Sequence, residues 1–281
     1  MGGYAIKKVV VPLLIPVVVI MLSSLSVFGA DAKGKHLTEG SSLYSLRMPF
    51  IENAGQHPDK KIKYYAPTFE GAVAVADDGT ITYFVQSGIT IQEHLVAATT
   101  APRGNVPSSA TVNTFSGVDS KNWKNKLSTY DEISLGEVYQ GVELKLKAYG
   151  KRVEKLFHVK PGGNPETIKM SVSGAKGLRV GPDGGLEVLA GDEALRFSQP
   201  EAYQMVDGAR KIVRVAYVVE GNCYGFVVGE YDRSRELVID PIFTAKTIGG
   251  HGNETIRAIA TDASGSVYIA GSTRSADMTT G

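Results

Sequence analysis

Short alternating apolar stretches, each bounded by turn-forming residues, are the feature that most constrains the fold of this chain. From residue 43 onward, apolar and polar residues alternate in short runs that Gly, Pro, Asn or Asp separate. A period of two places successive side chains on opposite faces of a strand. No longer run combines an apolar period of 3.6 with capping signals at both ends. The sequence therefore predicts an all-β domain, an antiparallel β-sandwich.

Several turns predict hairpins, because Asp-Gly pairs adopt the positive φ that a tight turn needs. The predicted strand pairs are residues 70–76 with 81–86, 142–149 with 152–160, 177–180 with 186–189, and 202–206 with 211–219. Residues 99–109 contain two prolines and a glycine, and they predict an exposed loop or linker that could divide the domain into two packed halves. Residues 161–167 predict a single helical turn at most.

Charge and cysteine content limit the classes of partner. The chain has 281 residues, with 30 Lys and Arg against 29 Asp and Glu. This balance excludes the bulk attraction that draws basic proteins to nucleic acid or to anionic membranes. The length accommodates one large domain or two smaller ones without disulfide support. Cys223 is the single cysteine, so an internal disulfide is excluded.

The N-terminus has the pattern of a secretory signal peptide. Lys7 and Lys8 precede an apolar run over residues 9–22, and small residues follow at 29–32. Ala30 and Ala32 occupy the positions that a signal peptidase reads, which predicts cleavage after Ala32, with a cut nearer Ala30 as the alternative. An uncleaved membrane anchor is the other interpretation, since the apolar stretch approaches the length that spans a bilayer. Cleavage predicts a secreted or cell-surface protein.

Three segments carry a resemblance to a known family. The first is Phe50-Ile51-Glu52-Asn53-Ala54-Gly55-Gln56, and the second runs from Trp123 through Tyr139-Gln140-Gly141-Val142. The third is Tyr231-Asp232, followed by Leu237-Val238-Ile239-Asp240-Pro241. In this order they resemble the exported domain of unknown function that precedes SBBP-type β-propeller repeats in microbial surface proteins. Residues 248–254 and 259–273 are similar to the first such repeat, of which a propeller contains several.

Together with the signal-peptide pattern, the resemblance implies a domain organisation and a role. Residues 1–32 would be the signal peptide, 33–42 a polar lead, 43–241 the β-sandwich domain, and 242–281 the first, incomplete propeller repeat. The role implied is structural or adhesive, with an unidentified protein or polysaccharide at the cell surface as partner. The motif residues are expected to be structural: Asn53, Gly55, Gln56, Trp123, Tyr139, Gly141, Tyr231, Asp232, Asp240 and Pro241. Trp123 is expected in the core or at its edge.

The sequence predicts no catalytic residue, no metal ligand set and no cofactor motif. The five histidines are scattered, and none forms the H-x-x-x-H spacing of a helical zinc site. No Gly-x-Ser-x-Gly elbow and no phosphate-binding loop occurs. The alternative function is a secreted carbohydrate-binding module or carbohydrate-active enzyme. The enzyme stays open because the two carboxylates of a glycosidase can lie far apart in the sequence and come together in the folded protein. Trp123 would then stack on a sugar.

Overall fold

The computed structural model describes residues 18–21, 46–69, 71–85, 87–115, 123–191, 193–244, 248–249, 254–261, 267–273 and 279–280. In these residues the regular structure is β-strand, apart from one 3₁₀ turn at Pro165–Thr167. The predicted all-β class is confirmed. Asn164 caps the 3₁₀ turn by accepting a hydrogen bond from the backbone N–H of Glu166, which confirms the single helical turn predicted there.

The strands are numbered in chain order. The first thirteen are β1 (Val18–Met21), β2 (Arg47–Met48), β3 (Phe50–Glu52), β4 (Ile62–Thr68), β5 (Gly71–Ala76), β6 (Ile81–Val85), β7 (Thr90–Leu95), β8 (Arg103–Pro107), β9 (Thr111–Thr114), β10 (Lys124–Leu127), β11 (Thr129–Tyr139), β12 (Val142–Tyr149) and β13 (Val153–Val159). The others are β14 (Met170–Ser173), β15 (Gly177–Val180), β16 (Leu186–Ala190), β17 (Glu193–Phe197), β18 (Glu201–Val206), β19 (Ala209–Val213), β20 (Val215–Glu220), β21 (Cys223–Val228), β22 (Leu237–Asp240), β23 (Ile242–Thr244), β24 (Ile248–Gly249), β25 (Glu254–Thr261), β26 (Val267–Thr273) and β27 (Thr279–Thr280).

Most strands belong to one continuous antiparallel sheet. Its order runs β20-β21-β14-β7-β6-β5-β4-β3-β11-β12-β13. At β13 the sheet divides, because β22 and β23 both pair with that strand. One branch continues from β22 to β18 and β19, and the other from β23 to β17, β16 and β15. The last strands of the domain, β22 and β23, therefore have hydrogen-bonded neighbours on both sides.

One aromatic-rich core lies inside the curled sheet. Its rings come from strands that are distant along the sheet: Tyr83 on β6 lies 4.3 Å from Phe243 on β23, and Phe243 lies 5.0 Å from Phe197 on β17, measured between ring centroids. Phe157 and Phe226, from β13 and β21, pack 5.6 Å apart in the same core. The sheet therefore folds over on itself to bury these side chains, which is the arrangement of a sandwich.

The predicted hairpins are present. Strands β5 and β6, β12 and β13, β15 and β16, and β18 and β19 pair antiparallel around the predicted turns. Asp207 and Gly208 both have positive φ, 51° and 80°, as a type I′ turn requires. The predicted strand over residues 211–219 is divided at residue 214, since its first part pairs with β18 and its second part with β21.

The predicted loop over residues 99–109 is wrong in its central part. Arg103–Pro107 forms β8, which pairs with β11 within the main sheet. Most of its side chains are exposed, so the sequence of β8 lacks the apolar alternation that would predict a strand. Pro107 fits the last position of such an edge strand, where a missing N–H costs little. The segment is thus a part of the sheet and does not divide the domain.

Two predicted regions lie partly outside the described residues. Within the predicted signal peptide, only β1 is described, and it pairs antiparallel with β9, which also pairs with β10. The predicted cleavage site at Ala32 and the polar lead 33–42 lie outside. In the predicted repeat, β25 pairs antiparallel with β26 and β24 with β27, and the turn predicted at 262–265 lies outside the described residues.

Candidate functional site

The aromatic core of this domain contains a fully buried group of charged and hydroxyl side chains that are joined by hydrogen bonds. We define the buried lysine cluster as Lys155, Glu93, Tyr83 and Tyr224. The ammonium Nζ of Lys155 donates to both carboxylate oxygens of Glu93, at 2.6 and 2.7 Å. The hydroxyl of Tyr224 lies 2.5 Å from that Nζ and donates to Glu93 Oε1 at 2.5 Å, and Tyr83 donates to Glu93 Oε2 at 2.9 Å. Lys155 and Glu93 are both 0% exposed.

Strand alternation directs these charged side chains inward. On β7, Ile91 and Glu93 share the buried face, while Gln92 between them is exposed. On β13, Lys155 shares a face with the core residues Val153 and Phe157. Strands β7 and β13 are not hydrogen-bonded neighbours, so the ion pair spans the core between separate parts of the sheet.

The buried lysine cluster is closed to solvent and surrounded by aromatic rings. Lys155 Nζ lies 4.0 Å from the centroid of the Phe197 ring, within the range of a cation–π contact. Burial lowers the pKa of the Lys155 ammonium, and the Glu93 carboxylate opposes that change. Burial, followed by the Glu93 charge, raises the pKa values of Tyr83 and Tyr224 well above the ordinary value. Both phenols therefore stay protonated and serve as hydrogen-bond donors.

The opening motif builds a turn. The side chain of Asn53 accepts hydrogen bonds from the N–H groups of Gly55 and His57, at 3.0 and 3.1 Å, and donates to the Ile62 carbonyl at 2.7 Å. Gln56 donates to the carbonyl of Glu52 and accepts from the N–H of Ala54, both at 2.7 Å. Gly55 has a φ of +97°, which favours glycine. The amides of this motif hold the β3–β4 connection.

The second motif joins a tyrosine to a crowded glycine. The hydroxyl of Tyr139 lies 3.0 and 2.9 Å from the carbonyl oxygens of Val96 and Lys169, so it connects two segments that flank β7 and β14. Gly141 has a φ of +72°, and a Cβ there would lie 2.8 Å from the Cα of Gly163. A larger residue at position 141 would push two backbone segments apart.

The third motif ties the end of the domain to β18. The side chain of Gln204, 1% exposed, donates to the Asp232 carbonyl at 2.8 Å and accepts from the Asp232 N–H at 2.9 Å. The Asp232 carboxylate accepts from Ser234 and Arg235, and the hydrogen bonds from Ser234 are the main reason that its pKa is lowered. Tyr231 packs against the core, and Pro241 is buried.

Asp240, at the end of β22, is a partly buried residue, and one of its carboxyl oxygens makes no hydrogen bond. Its Oδ1 is buried and has no hydrogen-bond partner. Burial, followed by the charges of Glu154 and Glu201, raises the pKa of Asp240 to about 7. Arg152 and Lys147 oppose this change to a smaller extent. Asp240 therefore titrates near neutral pH.

Trp123 lies at the surface, so its expected place in the core is wrong. Its side chain is 41% exposed and packs edge-on against Phe115, which is 43% exposed, with a ring-centroid distance of 5.3 Å. The two residues flank β9 and β10, which belong to the small sheet beside the main one. Because this small sheet has a core of only a few residues, it cannot bury an indole.

A model of one protein family matches residues 50–242 of this chain, under the description domain of unknown function DUF7948. The chain belongs to the DUF7948 family. No curated protein and no solved structure matches it. The resemblance found from the motifs is thus confirmed at the level of this domain of unknown function. The repeat that would follow the DUF7948 domain stays a prediction.

Within the described residues, the DUF7948 domain contains no group of three or more His, Cys, Asp and Glu side chains that could hold a metal ion. The same part of the chain contains no helix that is long and apolar enough to span a membrane. The motif residues lie in separate places: the Asn53 turn, the Tyr139 contact and the Asp232 contact each hold a different connection. They do not form one pocket.

The buried lysine cluster of the DUF7948 domain was not predicted from the sequence. A signal was present, because Lys155 interrupts the apolar series Val153, Phe157 and Val159 on one face of the predicted strand. A charged residue on a buried face needs a partner of opposite charge. Glu93 lies 62 positions away, and nothing in the sequence connects the two.

Proposed function

We propose that this chain is an exported structural domain of the microbial cell surface, which holds the SBBP-type β-propeller repeats that follow it. The signal-peptide pattern of residues 1–32 and the similarity of residues 248–273 to such a repeat support this proposal. The partner would be a protein or a polysaccharide at the surface.

The position of β22 and β23 is the observation that carries the proposal. These strands lead directly to the residues of the proposed repeat, and they pair with β13 on one side and with β18 or β17 on the other. Tension applied beyond residue 244 would have to break hydrogen bonds to neighbours on both sides of these strands. An edge strand such as β19 is held by one neighbour only. The geometry suits a domain that transmits force.

Single-molecule pulling tests the mechanical part of the proposal. One pair of attachment points is the N-terminus and residue 245, and the other is the N-terminus and residue 212. We expect the unfolding force to be clearly higher for the first pair. Residue 212 lies on the edge strand β19 and is exposed, so it provides the matched control geometry. Equal forces for both attachments would contradict the mechanical role.

N-terminal sequencing tests the location. We expect the protein recovered outside the cytoplasm of an expressing bacterium to begin at Lys33. The double variant Ala30→Arg/Ala32→Arg should remain unprocessed, since signal peptidase requires small residues there. Full-length protein that stays in the cytoplasm would contradict export.

A second function, carbohydrate binding, is favoured by the pair Phe115 and Trp123. Exposed aromatic rings provide an apolar face with a polar edge, which suits stacking on a sugar ring. A glycan array on the mature protein tests this function. Binding that Trp123→Ala abolishes, and that the exposed-residue control Met205→Ala leaves unchanged, would favour it over a purely structural role.

A further inference from the structure

The buried lysine cluster places an amine directly against a carboxyl group. We propose that Lys155 and Glu93 condense to form an intramolecular isopeptide bond between β13 and β7. The contact of Nζ with both carboxylate oxygens, at 2.6 and 2.7 Å, brings the nucleophile to its acceptor within the folded protein. This inference rests on the buried lysine cluster and does not depend on the proposed function.

Burial makes the ion pair costly and so reduces the difference in free energy between the ion pair and the neutral reactants. Both side chains are 0% exposed and surrounded by aromatic rings, where separated charge is costly. Transfer of one proton from the ammonium to the carboxylate gives a neutral amine and a neutral carboxylic acid. The lowered pKa of Lys155 is consistent with this transfer. Holding the two groups together also removes the entropic cost of bringing them into contact.

The condensation balances without any other reactant. The Nζ lone pair attacks Cδ of the protonated Glu93 carboxyl, which forms the N–C bond. The C–O bond to one oxygen then breaks, and that oxygen leaves as water with the acid proton and one proton from Nζ. Tyr224 contacts both Nζ and Oε1, so its hydroxyl can pass this proton from the nitrogen to the leaving oxygen.

The hydroxyl groups of the cluster suit the product as well as the reactants. Tyr83 donates to Oε2, which would become the amide carbonyl oxygen. Tyr224 lies beside Nζ and can accept a hydrogen bond from the amide N–H. The product therefore satisfies its polar atoms and removes a buried charge pair, which lowers the electrostatic cost of the core.

Intact-mass measurement of the denatured wild-type protein tests the proposal. We expect a mass about 18 Da below that of the processed sequence, which corresponds to one lost water. Tryptic digestion should give a branched peptide that joins residues 64–103 to residues 153–169, because trypsin cannot cleave after a Lys155 that has become an amide and does not cleave between Lys160 and Pro161.

The chain offers a matched control for proximity alone. Lys160 contacts Glu137 at the same distance, 2.7 Å, but these side chains are about half exposed. We expect no branched peptide from this exposed pair, and Lys160→Met should leave the mass deficit unchanged. Lys155→Met should abolish the deficit.

Full mass and linear peptides from folded wild-type protein would overturn the proposal, as would a deficit that persists in Lys155→Met. The wild-type digest decides the question even if Lys155→Met fails to fold.

Discussion

At the residue scale, Gln204 is the buried side chain whose replacement should be most informative. Its amide makes two hydrogen bonds to the backbone of Asp232 and is 1% exposed. Gln204→Leu would leave the N–H and C=O of Asp232 without these partners. We expect a loss of about 2 to 3 kcal/mol in the free energy of unfolding, because two backbone groups lose hydrogen bonds at one site.

Urea unfolding measures this loss, and Gln199→Leu is the matched control because Gln199 is exposed. That control should change the free energy of unfolding by less than about 0.5 kcal/mol. Equal effects of the two substitutions would contradict the role assigned to Gln204.

Asp240 should make stability depend on pH. Its folded pKa of about 7 is above the ordinary value of 3.8, so the folded protein holds a proton that the unfolded chain has lost. The stability contribution therefore decreases as the pH rises from about 4 to about 7 and is constant beyond this window. Between pH 5 and pH 8, we expect wild-type stability to fall by about 2 to 3 kcal/mol relative to Asp240→Asn.

Chemical denaturation at several pH values measures this difference. Asp207→Asn, at an exposed turn position with positive φ, is the matched carboxylate-to-amide control, and asparagine also tolerates that backbone conformation. A pH profile of Asp240→Asn that parallels the wild type would contradict the assignment.

At the element scale, the β5–β6 hairpin depends on close approach at one glycine. Gly71 has a φ of +140°, and a Cβ there would lie 1.8 Å from the carbonyl oxygen of Phe84. Gly71→Ala should therefore break the start of the hairpin and cost more than about 3 kcal/mol. Gly88→Ala is the control that introduces backbone strain without a steric clash, since the φ of Gly88 is +87° and no atom would lie within 4 Å of the new Cβ. We expect it to cost about 1 to 2 kcal/mol.

Thermal and urea unfolding of the two alanine variants measure the difference. Equal losses would mean that positive φ alone, rather than contact with Phe84, decides the cost at Gly71.

Some of these elements could be predicted from the sequence, and others could not. Hairpins such as β5–β6 and β18–β19 follow from local turn chemistry, because Gly79 and Asp207-Gly208 need positive φ whatever surrounds them. Strand β8 could not be predicted, since its order comes from pairing with β11 and its side chains are mostly exposed. The motif glycines and amides were predicted to be structural, and Asn53 and Gly141 make the contacts of such residues. The partner of Lys155 depends on packing between distant strands.

At the scale of the whole molecule, the buried lysine cluster and strands β22 and β23 both connect separate parts of the sheet. Lys155 and Glu93 connect strands β13 and β7, which belong to the same sheet but are not paired with each other. A covalent bond between them would close a loop of about 60 residues, and loop closure of that length stabilises by about 4 kcal/mol in the chain-entropy model. A chain with a single cysteine would thereby gain a constraint of the kind that disulfides give to small secreted domains.

The end of the folded unit provides the last prediction. Leu237 and Ile239 on β22 are fully buried, and Phe243 on β23 packs in the aromatic core. A chain of residues 33–244 should therefore unfold cooperatively, whereas a chain of residues 33–236 should not, because it loses these side chains and opens the edges of β13, β17 and β18. Thermal unfolding followed by circular dichroism, with size-exclusion chromatography, distinguishes the two. If the shorter chain unfolds cooperatively at the same temperature as the longer one, β22 and β23 are not integral to the domain, and tension from the following residues would not pass through its core.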